Sequence, residues 1–206
     1  MKKGKFLTLE GIEGVGKSTH IAYIAKRLET GGHRTLTTRE PGGTRLGESV
    51  REILLHGNDL DILPQAELML MFAARLQHVQ EIIVPAIADG LVVVCDRFID
   101  ASYAYQGGGR GIPQEMIAVL DNWVLKDLRP DLTLLFDASV ETGLRRAGNR
   151  SDADRFESEN VNFFNRVRET YLERAKKEPE RIKIIDAEQD MHTVEKQISA
   201  VLETFI

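Results

Sequence analysis

The stretch Gly11-Ile12-Glu13-Gly14-Val15-Gly16-Lys17-Ser18 fits the pattern G-x-x-x-x-G-K-[ST] and directly follows a short apolar run, Phe6-Leu7-Thr8-Leu9. Those residue types at that spacing suit a nucleoside triphosphate. Backbone N–H groups of a glycine-rich turn wrap the α- and β-phosphates, the Lys17 ammonium reaches the β- and γ-oxygens, and the Ser18 hydroxyl can ligate Mg²⁺. Glycine at 11, 14 and 16 lets the main chain approach that closely. Gly11, Ile12, Glu13, Gly14, Val15, Gly16, Lys17, Ser18 and Thr19 are the candidate triphosphate-binding set. An ordinary glycine-rich strand-to-helix turn is the competing reading.

A phosphate loop does not say what becomes of the phosphate, so other residues must. Asp96-Arg97 closes a hydrophobic run. This places Asp96 beside the loop as a candidate partner of Mg²⁺ or its waters, and turns Arg97 toward an acceptor; a surface ion pair is the alternative. Arg39-Glu40-Pro41-Gly42-Gly43-Thr44 forms a turn whose proline and glycines fix the backbone path, and it can present Arg39 to an anionic substrate. Phe72 and Arg75 stand three apart on one helix face, an aromatic plane to pack on a base and a guanidinium to donate to a carbonyl edge or phosphate. Against this stands Phe72 as core and Arg75 as the solvated end of the same face. Two segments break the regular pattern: Gln106-Gly107-Gly108-Gly109-Arg110-Gly111, and Arg145–Glu157 with Arg145, Arg146, Arg150 and Arg155. Both read as mobile loops able to cover a ligand, with a plain solvated loop as the alternative.

These residues need a scaffold. Strand-like runs recur at Phe6–Glu10, Arg34–Thr38, Leu91–Asp96, Leu132–Asp137 and Ile182–Asp186, separated by helical patterns at Ser18–Thr30, Leu46–Leu55, Gln65–Asp89, Pro113–Lys126, Glu141–Ala147, Glu159–Lys177 and Thr193–Thr204. Such alternation predicts an α/β fold around a five-stranded parallel sheet flanked by helices. Three strands end in an acid, Glu10, Asp96 or Asp137, which marks the carboxyl edge as the ligand-binding edge. The most apolar helix has Met69, Phe72 and Leu76 at helical spacing, so part of it must be buried against the sheet or another subunit, and Pro85 is expected to kink or end it. Trp123 and the Asp121–Leu125 segment read as helix packing.

Length and composition agree with this plan. A chain of 206 residues without internal repeats suits a single domain over residues 1–206. A net charge of −5 disfavours a broad nucleic-acid surface and points to small-molecule partners. The single Cys95 lies in an apolar run and reads as a small buried hydrophobe in a reducing cytoplasm. No signal sequence or membrane span is expected, and the five histidines show no metal-ligand spacing.

Several motifs taken together resemble one family. Leu9–Thr19, Thr38–Thr44, Phe72-Ala73-Ala74-Arg75, Asp96-Arg97-Phe98, Ala104–Gly111 and Arg129-Pro130-Asp131-Leu132-Thr133 are similar, in order and over essentially the whole chain, to the motifs of the bacterial thymidylate kinases. The Arg-Glu-Pro-Gly-Gly-Thr and Ala-Tyr-Gln-Gly-Gly-Gly-Arg-Gly blocks are the most particular to that family. The resemblance implies a P-loop fold of the nucleoside monophosphate kinase type with a short lid at about 145–157. It also implies transfer of the γ-phosphoryl group of ATP to dTMP with Mg²⁺, on the way to dTTP, by a cytoplasmic homodimer that needs no nucleic-acid polymer and no membrane. Glu13 would lie near the deoxyribose 3′-hydroxyl, Arg97 and Arg39 near the dTMP phosphate, Phe72 and Arg75 at the thymine, and Ser102, Tyr105 and Gln106 around base and sugar. Many relatives carry the stacking aromatic four residues before the arginine, a position held here by Met71, which leaves Met71 and Phe72 as alternatives for the thymine face. Because the phosphate loop offers no arginine, the catalytic cation would come from the lid. Arg150 is the first choice and Arg146 the second, with Arg155 pairing to Asp154 or Glu157 within the lid and Gly148 as the hinge. Another deoxynucleoside or nucleoside monophosphate kinase is the nearest alternative, and a nucleotide-dependent switch the one from a different class.

Overall fold

The computed structural model describes residues 4–57, 60–148, 155–156 and 159–206. Five parallel strands, β1 (Lys5–Glu10), β2 (Thr35–Arg39), β3 (Val92–Asp96), β4 (Leu132–Asp137) and β5 (Ile182–Asp186), form one sheet in the order β2-β3-β1-β4-β5. Valine, leucine and isoleucine fill these strands because both sheet faces are covered, so the residues run apolar rather than alternating. Leu7, Leu9, Val93, Val94 and Leu134 have no exposed surface. The register sets Leu9 beside Asp96, Arg39 beside Asp96, and Asp137 beside Asp186, which lines the strand ends up along one rim.

The helices are α1 (Lys17–Thr30), α2 (Arg45–His56), α3 (Pro64–His78), α4 (Val84–Ala88), α5 (Ile99–Ser102), α6 (Gln114–Leu125), α7 (Val140–Ala147), α8 (Val161–Lys177) and α9 (Met191–Phe205). Polar side chains start several of them. The Thr44 hydroxyl accepts from Gly47 N–H, Ser139 from Thr142 and Asn160 from Phe163, each satisfying a first-turn donor. The long helix expected from Gln65 onward runs on past Pro85. A π-helical turn at Val79–Ile83 joins α3 to α4, taking up the ring that would otherwise clash with the preceding turn.

Two expectations fail here. The Gln106–Gly111 segment is not a flexible loop: Tyr103–Gly109 is a largely buried π-helical stretch against α8. A Cβ on Gly109 would lie 2.5 Å from the Phe163 ring, and one on Gly108 would overlap the Thr170 hydroxyl, so these glycines serve close packing rather than mobility. Trp123 does not pack inside; it is 72% exposed beside buried Asp121, Val124 and Leu125. Cys95 is buried as expected, and burial pushes its thiol up. Among the described residues no helix is long and apolar enough to cross a membrane.

Candidate active site

The phosphate loop leaves β1 and enters α1. Gly11, Gly14 and Gly16 all have positive φ, at 135°, 71° and 93°, where a side chain would be strained. A Cβ on Gly14 would strike the Gly143 carbonyl, and one on Gly143 would lie 2.7 Å from the Glu13 carbonyl, so α7 packs against the loop through two glycines. Gly143 carries no local sequence signal for that role. Gly16 caps α1 without a side-chain bond, which leaves the helix N-terminus suited to an anion. The Lys17 ammonium folds into the loop, donating to Gly11 O at 2.9 Å and Ile12 O at 2.8 Å. Burial, with the nearby Arg97 charge, pulls it down to about 8, although Glu13 and Asp96 partly offset this.

Beside the loop lies the end of β3. Arg97 takes a left-handed backbone, φ 64°, pinned by its N–H to Leu9 O at 2.9 Å and by Phe98 N–H to Glu10 Oε1 at 2.8 Å. Its guanidinium donates to Gly11 O, to Glu13 Oε1 at 2.7 Å, and to the hydroxyls of Tyr105 and Tyr171. Tyr105 O–H also donates to Glu13. Burial alone would raise the Glu13 carboxyl, yet Arg97 and Lys17 outweigh it and hold the group below its usual range. Glu10 goes the other way. Burial and the Asp100 charge raise it to about 7, against the pull of Arg97 and the Tyr171 hydrogen bond.

Ser18 is exposed at the start of α1, while Asp96 Oδ1 is buried with no hydrogen-bond partner. An orphaned carboxylate oxygen next to a phosphate loop fits Mg²⁺ or a water on it, since this ion keeps most of its waters and needs few protein ligands. No cluster of three or more His, Cys, Asp or Glu suited to a metal occurs among the described residues.

A cavity of roughly 580 Å³, part of it open solvent, extends from Glu13 and Arg97 across the rim. Six expected acceptor residues line it: Glu13, Arg75, Arg97, Ser102, Tyr105 and Gln106. Arg75 is 2% exposed and donates to Glu40, Ser102 and the Phe98 carbonyl. Gln106 gives its amide N–H to Glu67, a fully buried carboxylate that Arg110 and Arg155 also grip.

Phe72 and Arg39 stand elsewhere. Phe72 is buried behind the cavity with its ring 4.9 Å from the Arg75 guanidinium carbon, and Met71 takes the place on the cavity wall. One residue along a helix turns the side chain by about 100°, enough to send neighbours to different faces. Arg39 points to solvent and pairs with Glu48 at 2.9 Å, beside a shallow groove on the edge strand β2. Arg51, which no sequence pattern singles out, lines the cavity and donates to the Pro41 carbonyl. Arg146 donates to the Ala187 carbonyl, just after β5, and does not line the cavity. Arg155 donates to the Leu54 carbonyl and to Glu67, tying the segment to α2 and α3, while Arg150, Asp154 and Glu157 lie outside the described residues. Its neighbour Phe156 lines the cavity and packs edge-on against Tyr105.

A phosphate loop facing an arginine-lined cavity is the layout of a phosphotransferase. Comparison with known proteins agrees with it. A family profile described as thymidylate kinase matches residues 9–198. Relatives named thymidylate kinase include one from Pseudomonas savastanoi pv. phaseolicola, 54% identical over 97% of this chain and 95% of its own length. Another, from Methylococcus capsulatus, is 52% identical over 100% of this chain and 98% of its own. The crystal structure of thymidylate kinase from Ehrlichia chaffeensis superposes with a TM-score of 0.79 at 35% identity, covering 98% of this chain and 99% of that one. With the loop, the adjoining cavity and the full-length matches in agreement, this chain belongs to the thymidylate kinase family.

Proposed function

We propose that this phosphotransferase moves the γ-phosphoryl group of ATP to the phosphate of dTMP, giving ADP and dTDP. The observation that carries the reading is Arg97: strained in its backbone, half-buried and hydrogen-bonded to Glu13 and Tyr105, and set between the phosphate loop and the base-sized cavity. Phosphoryl transfer asks for in-line donor and acceptor oxygens and for charge stabilisation rather than covalent chemistry. Lys17 would leave its loop carbonyls for the β- and γ-oxygens, and Arg97 would hold the acceptor phosphate near the donor against their mutual repulsion. Ser18 and Asp96 would hold Mg²⁺, which supplies neutralising charge on the donor phosphates. Arg75, Ser102, Gln106 and Met71 would frame the base, Tyr105 and Glu13 the sugar, and Arg150 would bring the lid cation.

A homodimer is part of the proposal. Met116, Val119 and Trp123 on α6, with Met69 and Leu76 on α3, are apolar and 40–72% exposed, and α3 packs on α6. An exposed apolar face of this kind suits a second copy. The deciding experiment incubates purified protein with ATP, Mg²⁺ and dTMP and follows dTDP and ADP by chromatography. Stoichiometric products are expected; ADP without dTDP, or turnover faster with another nucleoside monophosphate, would overturn the reading.

A further inference from the structure

Arg75 is held from behind as well as beside. Its Nε donates to Glu40 Oε2 at 2.7 Å, Nη1 to Ser102 Oγ at 2.8 Å and Nη2 to Phe98 O at 2.9 Å. A guanidinium has five N–H bonds, so one on each Nη remains after these three. The other oxygen of Glu40 faces His78 Nδ1 at 3.0 Å, and His78 Nε2 lies 2.7 Å from the Thr38 hydroxyl. A carboxylate only accepts, so the ring carries a proton on Nδ1, while Nε2 shares a hydrogen bond with the Thr38 hydroxyl. His78 has no exposed surface, and neither it nor Thr38 lines the cavity. The turn after β2 closes over the pair. A Cβ on Gly43 would stand 2.6 Å from His78 Nε2 and 2.7 Å from Thr38 Oγ1. The result is one hydrogen-bonded line, Thr38 to His78 to Glu40 to Arg75, running from the edge strand to the cavity wall.

We propose that Thr38 and His78 are positioning residues that set acceptor selectivity: they lock Glu40, and through it the roll of Arg75, so that the two remaining N–H groups accept a pyrimidine with a 4-carbonyl and reject one with a 4-amino group. The inference rests on the dTMP reading above. A 4-amino group donates where Arg75 also donates, so an aminopyrimidine would leave buried polar groups unpaired, the kind of mismatch from which sites draw large discrimination. That discrimination requires the donor edge to stay put. Without the Nδ1 donor, the Glu40 carboxylate keeps one protein partner fewer and the guanidinium gains freedom to turn.

The test is the ratio of kcat/KM for dTMP to that for dCMP, with dUMP as a second 4-carbonyl acceptor and thermal melting as the fold control. His78→Leu should lower the ratio at least about tenfold, mainly through a higher dTMP KM, with dUMP following dTMP. Thr38→Val should lower it by about threefold, and His78→Asn, whose side-chain N–H can take the place of Nδ1–H, should restore most of it. A folded His78→Leu that keeps the full ratio, or that loses both acceptors equally, overturns the inference; if it does not fold, Thr38→Val decides in the same way. Wild type that fails to use dTMP would instead sink the acceptor assignment, and this inference with it.

Discussion

The phosphate loop is made from eight consecutive residues, Gly11 to Ser18, whereas the cavity beside it shares Glu13 with that loop and draws the rest of its wall from the residue after β3, the turn after β2, α2, α3, α5, the π-helical stretch behind it and Phe156. The first is a backbone device, shaped by glycines and one lysine. The second is a mesh of side chains in which Arg75, Arg97 and Arg155 each bind a carboxylate contributed by a distant part of the chain. Damage to the backbone loop should therefore stay narrow, whereas damage to the side-chain mesh should spread to every group in it.

The sharpest way to separate the two is a pair of variants. Arg97→Leu should cost roughly 10³-fold in kcat/KM for dTMP and raise the dTMP KM, because it removes the proposed phosphate contact and leaves the half-buried Glu13 without its ion partner. Lys17→Met should cut kcat by about 10²–10³-fold while the dTMP KM stays near its starting value. Steady-state kinetics with both substrates varied would break the comparison if the two patterns coincided. Arg150→Ala extends it to the lid: a kcat loss of at least about 10²-fold with little change in dTMP affinity is expected, and near-normal turnover would remove this residue from the chemistry.

Smaller effects sharpen the picture. Gly108→Ala, which pushes a methyl into Thr170 and the Arg166 carbonyl, should destabilise the fold by about 1–3 kcal/mol in chemical denaturation. An unaffected midpoint would mean that the π-helical segment yields easily. The donor side offers a proton-linked readout. Lys17, held near 8 mainly by burial, should rise when phosphate replaces carbonyl oxygens around it. Nucleotide binding should then take up a fraction of a proton around pH 8, and affinity should be flat below about pH 7 and fall as pH climbs through 8. Calorimetry in two buffers of different ionisation heat at pH 8 measures this, and Lys17→Met should abolish it.

Helix α3 shows where sequence reading stops. The apolar spacing of Met69, Phe72 and Leu76 calls for cover by the sheet or by another subunit, and of the three only Phe72 is buried within the chain. The inward face instead carries Glu67, Arg75 and His78, each at 2% exposure or less. Their partners, Arg110 and Arg155 for Glu67 and the Glu40 turn for the other two, come from far along the chain, so no local pattern could foretell that polar groups would be satisfied inside. The Gly107–Gly109 run misleads in the opposite sense. Glycine signals mobility in a loop and close approach in a packed segment, and only the positions of Phe163 and Thr170 decide between them. Arg39 and Arg51 exchange places for a similar reason: Arg39 projects outward from an edge strand to Glu48, and α2 turns Arg51 into the cavity.

By itself the sequence determined the five strands to within a residue or two, the helices that cross between them, and the phosphate loop, because hydrophobic period and glycine spacing are local and each strand end is marked by a change of residue type. Tertiary structure alone decided which arginines meet which carboxylates, that Met71 rather than Phe72 reaches the cavity, and that a histidine and a threonine stand behind the Arg75 guanidinium on the cavity wall. Buried charge is tolerable only where a partner waits at hydrogen-bond distance, and that partner is supplied by the fold, not by the neighbouring residue.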